Sequence, residues 1–138
     1  MTRIKESKHG ETAFQKLLGH NLDVLNRWNQ LGAVLEKEIN LSAQLKEQVR
    51  RTLAQENGCE YCKAKGQPTP QSFDEKTAIA VAFAEVFLKQ KGDILDSQFA
   101  ILKENLTDAE ISELTAFITF TTASQYFGAI MKLEAPTN

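Results

Sequence analysis

Asp74-Glu75-Lys76-Thr77-Ala78-Ile79-Ala80-Val81-Ala82-Phe83-Ala84-Glu85-Val86-Phe87-Leu88-Lys89-Gln90 is apolar around much of a helical circumference. Ala78, Ile79, Val81, Ala82, Phe83, Val86 and Phe87 cannot share one narrow stripe, so a helix built from them needs neighbours on several sides. Its longest unbroken apolar run, Ala78 to Ala84, is far too short to cross a bilayer, so those neighbours are other protein segments and no membrane partner is expected. The flanking sequence supplies them. Before it, Gly66 to Gln71, with Pro68 and Pro70, reads as a turn. After it, Lys91-Gly92-Asp93 breaks the helix, Asp96 or Ser97 caps a short helix through Glu104, and Thr107-Asp108-Ala109-Glu110 is a capping box for a long one. That last helix turns Ile111, Leu114, Phe117, Ile118, Thr121, Tyr126 and Ile130 inward.

Upstream, Glu11 to Gly19 is a short amphipathic helix carrying Phe14, Leu17 and Leu18. A second helix, from Asn21 or Leu22 to Glu38, places Leu22, Leu25, Trp28 and Leu35 inward. Ser42 N-caps a third, with Leu45, Val49, Thr52 and Leu53 on one face, and Asn57-Gly58 ends it because glycine takes the left-handed cap conformation readily. Strand and hairpin signals are lacking, as are repeats. The expectation is an all-α, single-domain bundle of about six helices over residues 1–138, with 1–10 and 134–138 as flexible ends.

Composition agrees. With 138 residues, 42% apolar and 25% charged, the chain can bury one core. A net charge of -2 with interleaved acids and bases leaves no electrostatic footprint for nucleic acid. Met1 to Glu11 is charged and lacks an apolar core, so it does not read as a signal peptide, and a cytoplasmic location is expected. The two apolar helices hold most of the phenylalanines, more aromatic surface than a small bundle covers comfortably, which suggests a homo-oligomer; the same residues can equally form the centre of a monomer.

The only cysteines are Cys59 and Cys62, in Cys59-Glu60-Tyr61-Cys62, and Glu47 stands twelve positions before the first. Two thiols at this spacing can close a short disulfide, and a nearby carboxylate can move the proton that governs their reactivity. At a helix start the first sulfur faces unpaired backbone amides, which marks Cys59 as the nucleophile and Cys62 as the thiol that resolves its mixed disulfide or sulfenic acid. Lys63 and Lys65 either lower the thiol pKa values or form a solvated basic edge. Core packing alone would also bury two cysteines, but Gly58 and the charged neighbours suit it poorly. A zinc site wants four ligands and only His9 and His20 remain, so neither metal nor cofactor is expected. Glu47 can be a solvated residue pairing with Lys46 or Arg50, or a proton acceptor brought beside the cysteines by the turn at Asn57-Gly58. Tyr61 either donates a hydrogen bond into the site or packs at the subunit boundary.

Glu47, Cys59 and Cys62, with Leu41-Ser42, Asn57-Gly58 and the stretch Leu106 to Leu114, resemble the carboxymuconolactone decarboxylase and alkyl hydroperoxidase D-like family over roughly residues 15–132. The redox members of that family carry Glu, then Cys-x-x-Cys, then a histidine four residues later; here that position is Gly66. Histidine passes protons near neutral pH, so its replacement leaves either a water-filled relay or none. His20 is the one remaining histidine considered as a substitute. The resemblance implies an all-helical subunit in trimers or hexamers, and a disulfide reductase or peroxidase acting on a small hydroperoxide or disulfide and re-reduced by a thiol-containing protein. Two other readings stay open: a weakly active or inactive member serving as an oligomeric binding protein or redox sensor, and a non-redox decarboxylase-like enzyme.

Overall fold

The computed structural model describes residues 1–137 and is entirely helical among them. Seven α-helices are present: α1 (Ala13–Leu18), α2 (Leu22–Glu36), α3 (Ala43–Ala54), α4 (Glu60–Lys63), α5 (Glu75–Gln90), α6 (Asp96–Asn105) and α7 (Asp108–Ile130), with a 3-10 turn at Pro70–Ser72 between α4 and α5. The count is close to the expected six, and the short helix at the cysteines stands where the sequence puts a helix start. Side-chain caps start most of them. Thr12, Ser42, Asp74 and Thr107 each accept a backbone N–H of the first turn, and Glu110 completes the expected box at Thr107. The start of α6 differs from expectation: Leu95 holds the cap position, and its N–H donates to the Gln98 side chain instead of to an Asp96 or Ser97 cap.

Helix α3 lies against both α5 and α7. Leu45, Val49 and Leu53 from α3 meet Ala80 and Ala84 from α5 and Leu114 and Ile118 from α7 in the core. The alanines matter, because small side chains on α5 let α3 approach closely while Val81 and Phe83 fill the spaces beside them. Three residues expected inward are not: Leu22, Tyr126 and Ile130 are exposed, and on α7 the buried face runs through Leu114, Phe117, Ile118, Thr121, Gln125 and Gly128, which leaves Tyr126 and Ile130 off it. Before α1 the chain runs back along the bundle, with Arg3 N–H donating to the Met131 carbonyl and Ser7 N–H to that of Lys16. Asn138, in the segment expected to be a flexible end, lies outside the described residues.

One ion pair is deeply buried. Lys46 Nζ lies 2.8 Å from Glu113 Oε2, and both side chains are almost wholly covered. The same carboxylate accepts the backbone N–H groups of Asn40 and Leu41 at 3.0 and 3.1 Å and the Asn40 side-chain amide at 3.1 Å. Glu113 thereby fastens α7 to the α2–α3 connection. Burial opposes its charge, but Lys46 and the donated N–H groups outweigh that and hold its pKa below the ordinary carboxylate value.

Glu113→Gln should lower stability by about 3 kcal/mol near neutral pH, because it leaves the Lys46 ammonium buried without a counter-charge. The folded-state pKa lies below the unfolded one, so this contribution is present above the ordinary carboxylate range and disappears as pH falls through the folded value. Urea midpoints of wild type and variant measured down a pH series should therefore converge in acid; a constant gap would show that the ionised pair is not the source.

Candidate functional site

The cysteines are joined. Cys59 and Cys62 form a disulfide, with Cα atoms 5.2 Å apart, at the start of α4. Asn57 and Gly58 bring the chain there: Gly58 has φ of 82°, a left-handed conformation that glycine adopts without strain. The Asn57 side chain donates to Gln125 Oε1 at 2.8 Å, and Gln125 Nε2 donates to the Arg50 carbonyl at 3.2 Å. One buried amide on α7 thus ties the end of α3 to the turn that presents the thiols. Cys59 Sγ accepts the Cys62 N–H at 3.2 Å, which makes the sulfur the N-cap of the short helix.

The two sulfurs differ in access. Cys59 is 1% exposed and rests against α7 at Gly128, where an added Cβ would lie 2.6 Å from its Sγ. Cys62 lines a cavity of about 420 Å³ that also touches α1, α2 and α7. The sequence-based order, with Cys59 as the reacting thiol, therefore meets a steric obstacle: both cysteines are buried, Cys59 more completely, and Cys62 is the one that lines the cavity.

Glu47 is near the pair but engaged elsewhere. Its Oε1 accepts Arg50 Nε at 2.6 Å, and its Oε2 accepts Arg50 Nη2 and Arg51 Nε, each at 3.0 Å. Neither sulfur is among its partners. Partial burial works against the charge, yet the hydrogen bonds and positive charges of the two arginines keep its pKa below the usual carboxylate value. Arg50 carries the connection onward, donating Nη1 to the Cys62 carbonyl at 3.1 Å. Lys46, weighed above as a partner of Glu47, turns instead to Glu113.

At Gly66 a φ of 129° puts the backbone where side chains are strained, and the Arg51 guanidinium carbon would lie 3.4 Å from an added Cβ. Arginine occupies the ground facing this position. His20 does not replace the absent histidine, for it is exposed and its Nε2 lies 2.6 Å from the Lys5 carbonyl, before α1. Lys65 sits with its ammonium 5.1 Å from the Tyr61 ring centre, and both residues line the cavity. Although Lys65 as a residue is exposed, burial around its ammonium, then repulsion from Arg50, hold its pKa below the usual lysine value. Tyr61 is half-buried and is placed at the cavity wall.

Arg50, Arg51, Gln125 and Gly128 complete the site. The arginines stand three and four residues after Glu47, so their pairing had a local signal. Gln125 and Gly128 lie far along the chain and had none.

Among the described residues no group of three or more His, Cys, Asp or Glu side chains is gathered in a way that could hold a metal ion, and no helix is long and apolar enough to cross a membrane. Comparison with protein-family models and with curated proteins gives no match. The chemistry has to come from the site itself.

Two substitutions test this geometry. Gly128→Ala should lower stability by about 1–3 kcal/mol through overpacking against Cys59, and the loss should shrink after reduction with dithiothreitol, which frees the sulfur to move. Gly66→His should cost about 1–3 kcal/mol through backbone strain and should not accelerate thiol oxidation by hydroperoxide. Urea unfolding and thiol titration measure both; a faster, equally stable Gly66→His protein would show that the position is a vacant relay site.

Proposed function

We propose that this chain is a thiol-disulfide oxidoreductase of the alkyl hydroperoxidase D-like type, reducing a hydroperoxide or disulfide with the Cys59–Cys62 pair. The observation that carries the reading is the asymmetric disulfide, with one sulfur covered and capped by an amide and the other at a cavity. That arrangement suits a cycle. In the reduced protein the Cys62 thiolate attacks the distal oxygen of a hydroperoxide; the S–O bond forms, the O–O bond breaks, and the alkoxide takes a proton and leaves as alcohol. Cys59 thiolate then attacks the Cys62 sulfur of the resulting sulfenic acid, closing the disulfide and releasing water. A dithiol partner returns two electrons and two protons, attacking Cys62 because it is the sulfur within reach; Cys59 leaves as a thiolate that accepts the Cys62 N–H, and the partner's second thiol then attacks its own sulfur of the mixed disulfide, freeing Cys62.

Arg50 and Lys65 supply the positive field that favours a Cys62 thiolate. Glu47 fits a positioning role better than a proton acceptor, since a carboxylate held by two arginines is a weak base. Cycling thiols suit a reducing compartment such as the cytoplasm. Self-association into a trimer or hexamer draws support from the apolar residues Val24, Leu31 and Val34 exposed along α2.

A redox-sensor reading has one observation in its favour: no acid–base side chain hydrogen-bonds to either sulfur among the described residues, so oxidation without rapid turnover is chemically adequate.

Both Cys59→Ser and Cys62→Ser should abolish dithiol-dependent hydroperoxide turnover. Only Cys59→Ser should still accumulate a sulfenic acid, trapped on Cys62 by dimedone and located by mass spectrometry. A trapped adduct on Cys59 in the Cys62→Ser protein would reverse the assigned order. Stoichiometric oxidation of wild type without multiple turnovers would favour the sensor.

A further inference from the structure

The cavity beside Cys62 has a composition that the thiol chemistry alone does not require. Its far wall is aromatic. Trp28 is held by an indole N–H bond to Ser124 Oγ at 3.1 Å, and its ring centre lies 5.3 Å from that of Phe120. Phe14, 5.3 Å from Phe127, closes the α1 side. Gly32 on α2 leaves the floor open, for an added Cβ would lie 3.4 Å from the Phe120 ring. At the Cys62 end the lining changes character, with Arg50 and Lys65 facing the same space. Arg50 is already engaged by Glu47 and the Cys62 carbonyl. Lys65 has no ion-pair partner among the described residues, although its ammonium is packed against Tyr61.

We propose that this cavity binds a carboxylate-bearing substrate with an apolar body, the hydrocarbon against Trp28, Phe14 and Phe120 and the carboxylate at Lys65. The proposal rests on the redox reading above and specifies its substrate class as an organic acid carrying the hydroperoxide or disulfide that reaches Cys62. About 420 Å³ is enough for a small acid of this kind and lies at the lower end of ligand cavities. An ammonium at the cavity wall without an ion-pair partner can receive an anion with no existing pair to be broken. Glu36 also lines the cavity and its charge acts on Lys65. It makes no ion pair among the described residues, so it weakens the preference for an anion without occupying the ammonium.

Trp28 is the single tryptophan, so its emission reports on this cavity directly. Titration of the oxidised protein with octanoate and with octanamide, read by that emission, should show saturable binding of both, with octanoate about fivefold tighter. Lys65→Gln should equalise the two ligands while leaving octanamide affinity unchanged, Glu36→Gln should widen the gap, and Gly32→Leu should abolish both by filling the floor. Failure of either ligand to saturate, equal affinities in wild type, or a preference that survives Lys65→Gln would overturn the proposal. No reductant or hydroperoxide takes part, so these outcomes stand apart from the cysteine variants: binding can fail while turnover persists, and turnover can fail while binding persists.

Discussion

The backbone of α7 comes against the Cys59 sulfur at Gly128, and the rest of the site is arranged around that approach. A side chain there would push α7 off the α4 start, and Cys59 would then have room and water. With glycine, the sulfur is sealed on one side by helix backbone and on the other by its own helix start. Cys62, one turn on, is buried as well but borders the cavity. The asymmetry between two chemically identical residues therefore originates in a third that has no side chain.

Holding α7 in that place requires anchors along its length, and they are polar. Near its start Glu113 gathers Lys46, Asn40 and Leu41; further along Gln125 joins Asn57 and the Arg50 carbonyl. Apolar contacts between α3 and α7 supply most of the burial, but they are tolerant of small sliding motions, whereas a carboxylate with several fixed donors is not. An isolated buried pair is weak evidence of added stability. Its consequence here is registry, since a shift of α7 by one turn would strand Glu113, Lys46 and Gln125 together.

Much of this was legible in the sequence where the signal was local. The Thr107 capping box, the Ser42 cap, the apolar circumference of α5 and the Gly58 turn all follow from residues a few positions apart, and the structure has them. Boundary details slipped where no local rule governs them, as with Leu95 in place of Asp96 at the start of α6. Inward placement of Tyr126 and Ile130 failed for a different reason: α7 is apolar nearly all round, so periodicity cannot say which of its faces is covered. At the site, Glu47, Cys59 and Cys62 were visible, and so was the pairing of Glu47 with Arg50. The difference in cover between the two cysteines was not, because Cys59 packs against Gly128, and nothing near the cysteines in sequence announces it.

Electrostatics and access pull the two sulfurs in opposite directions. The Cys62 amide hydrogen bond falls on Cys59 Sγ, the more covered sulfur, which suits Cys59 to leave when the disulfide is opened at Cys62. Cys62 has less help from its own helix and more from Arg50 and Lys65, whose charges face the cavity. Glu47 enters here through Arg50. By holding the guanidinium with both oxygens it fixes the direction of the remaining Nη1, which bonds the Cys62 carbonyl, and it also offsets part of the positive charge. A histidine at position 66 would meet the Arg51 guanidinium that completes this clamp. Glycine at position 66 and the Arg51 guanidinium are thus two sides of one packing arrangement, in which the cation lies against the space that a side chain at 66 would enter.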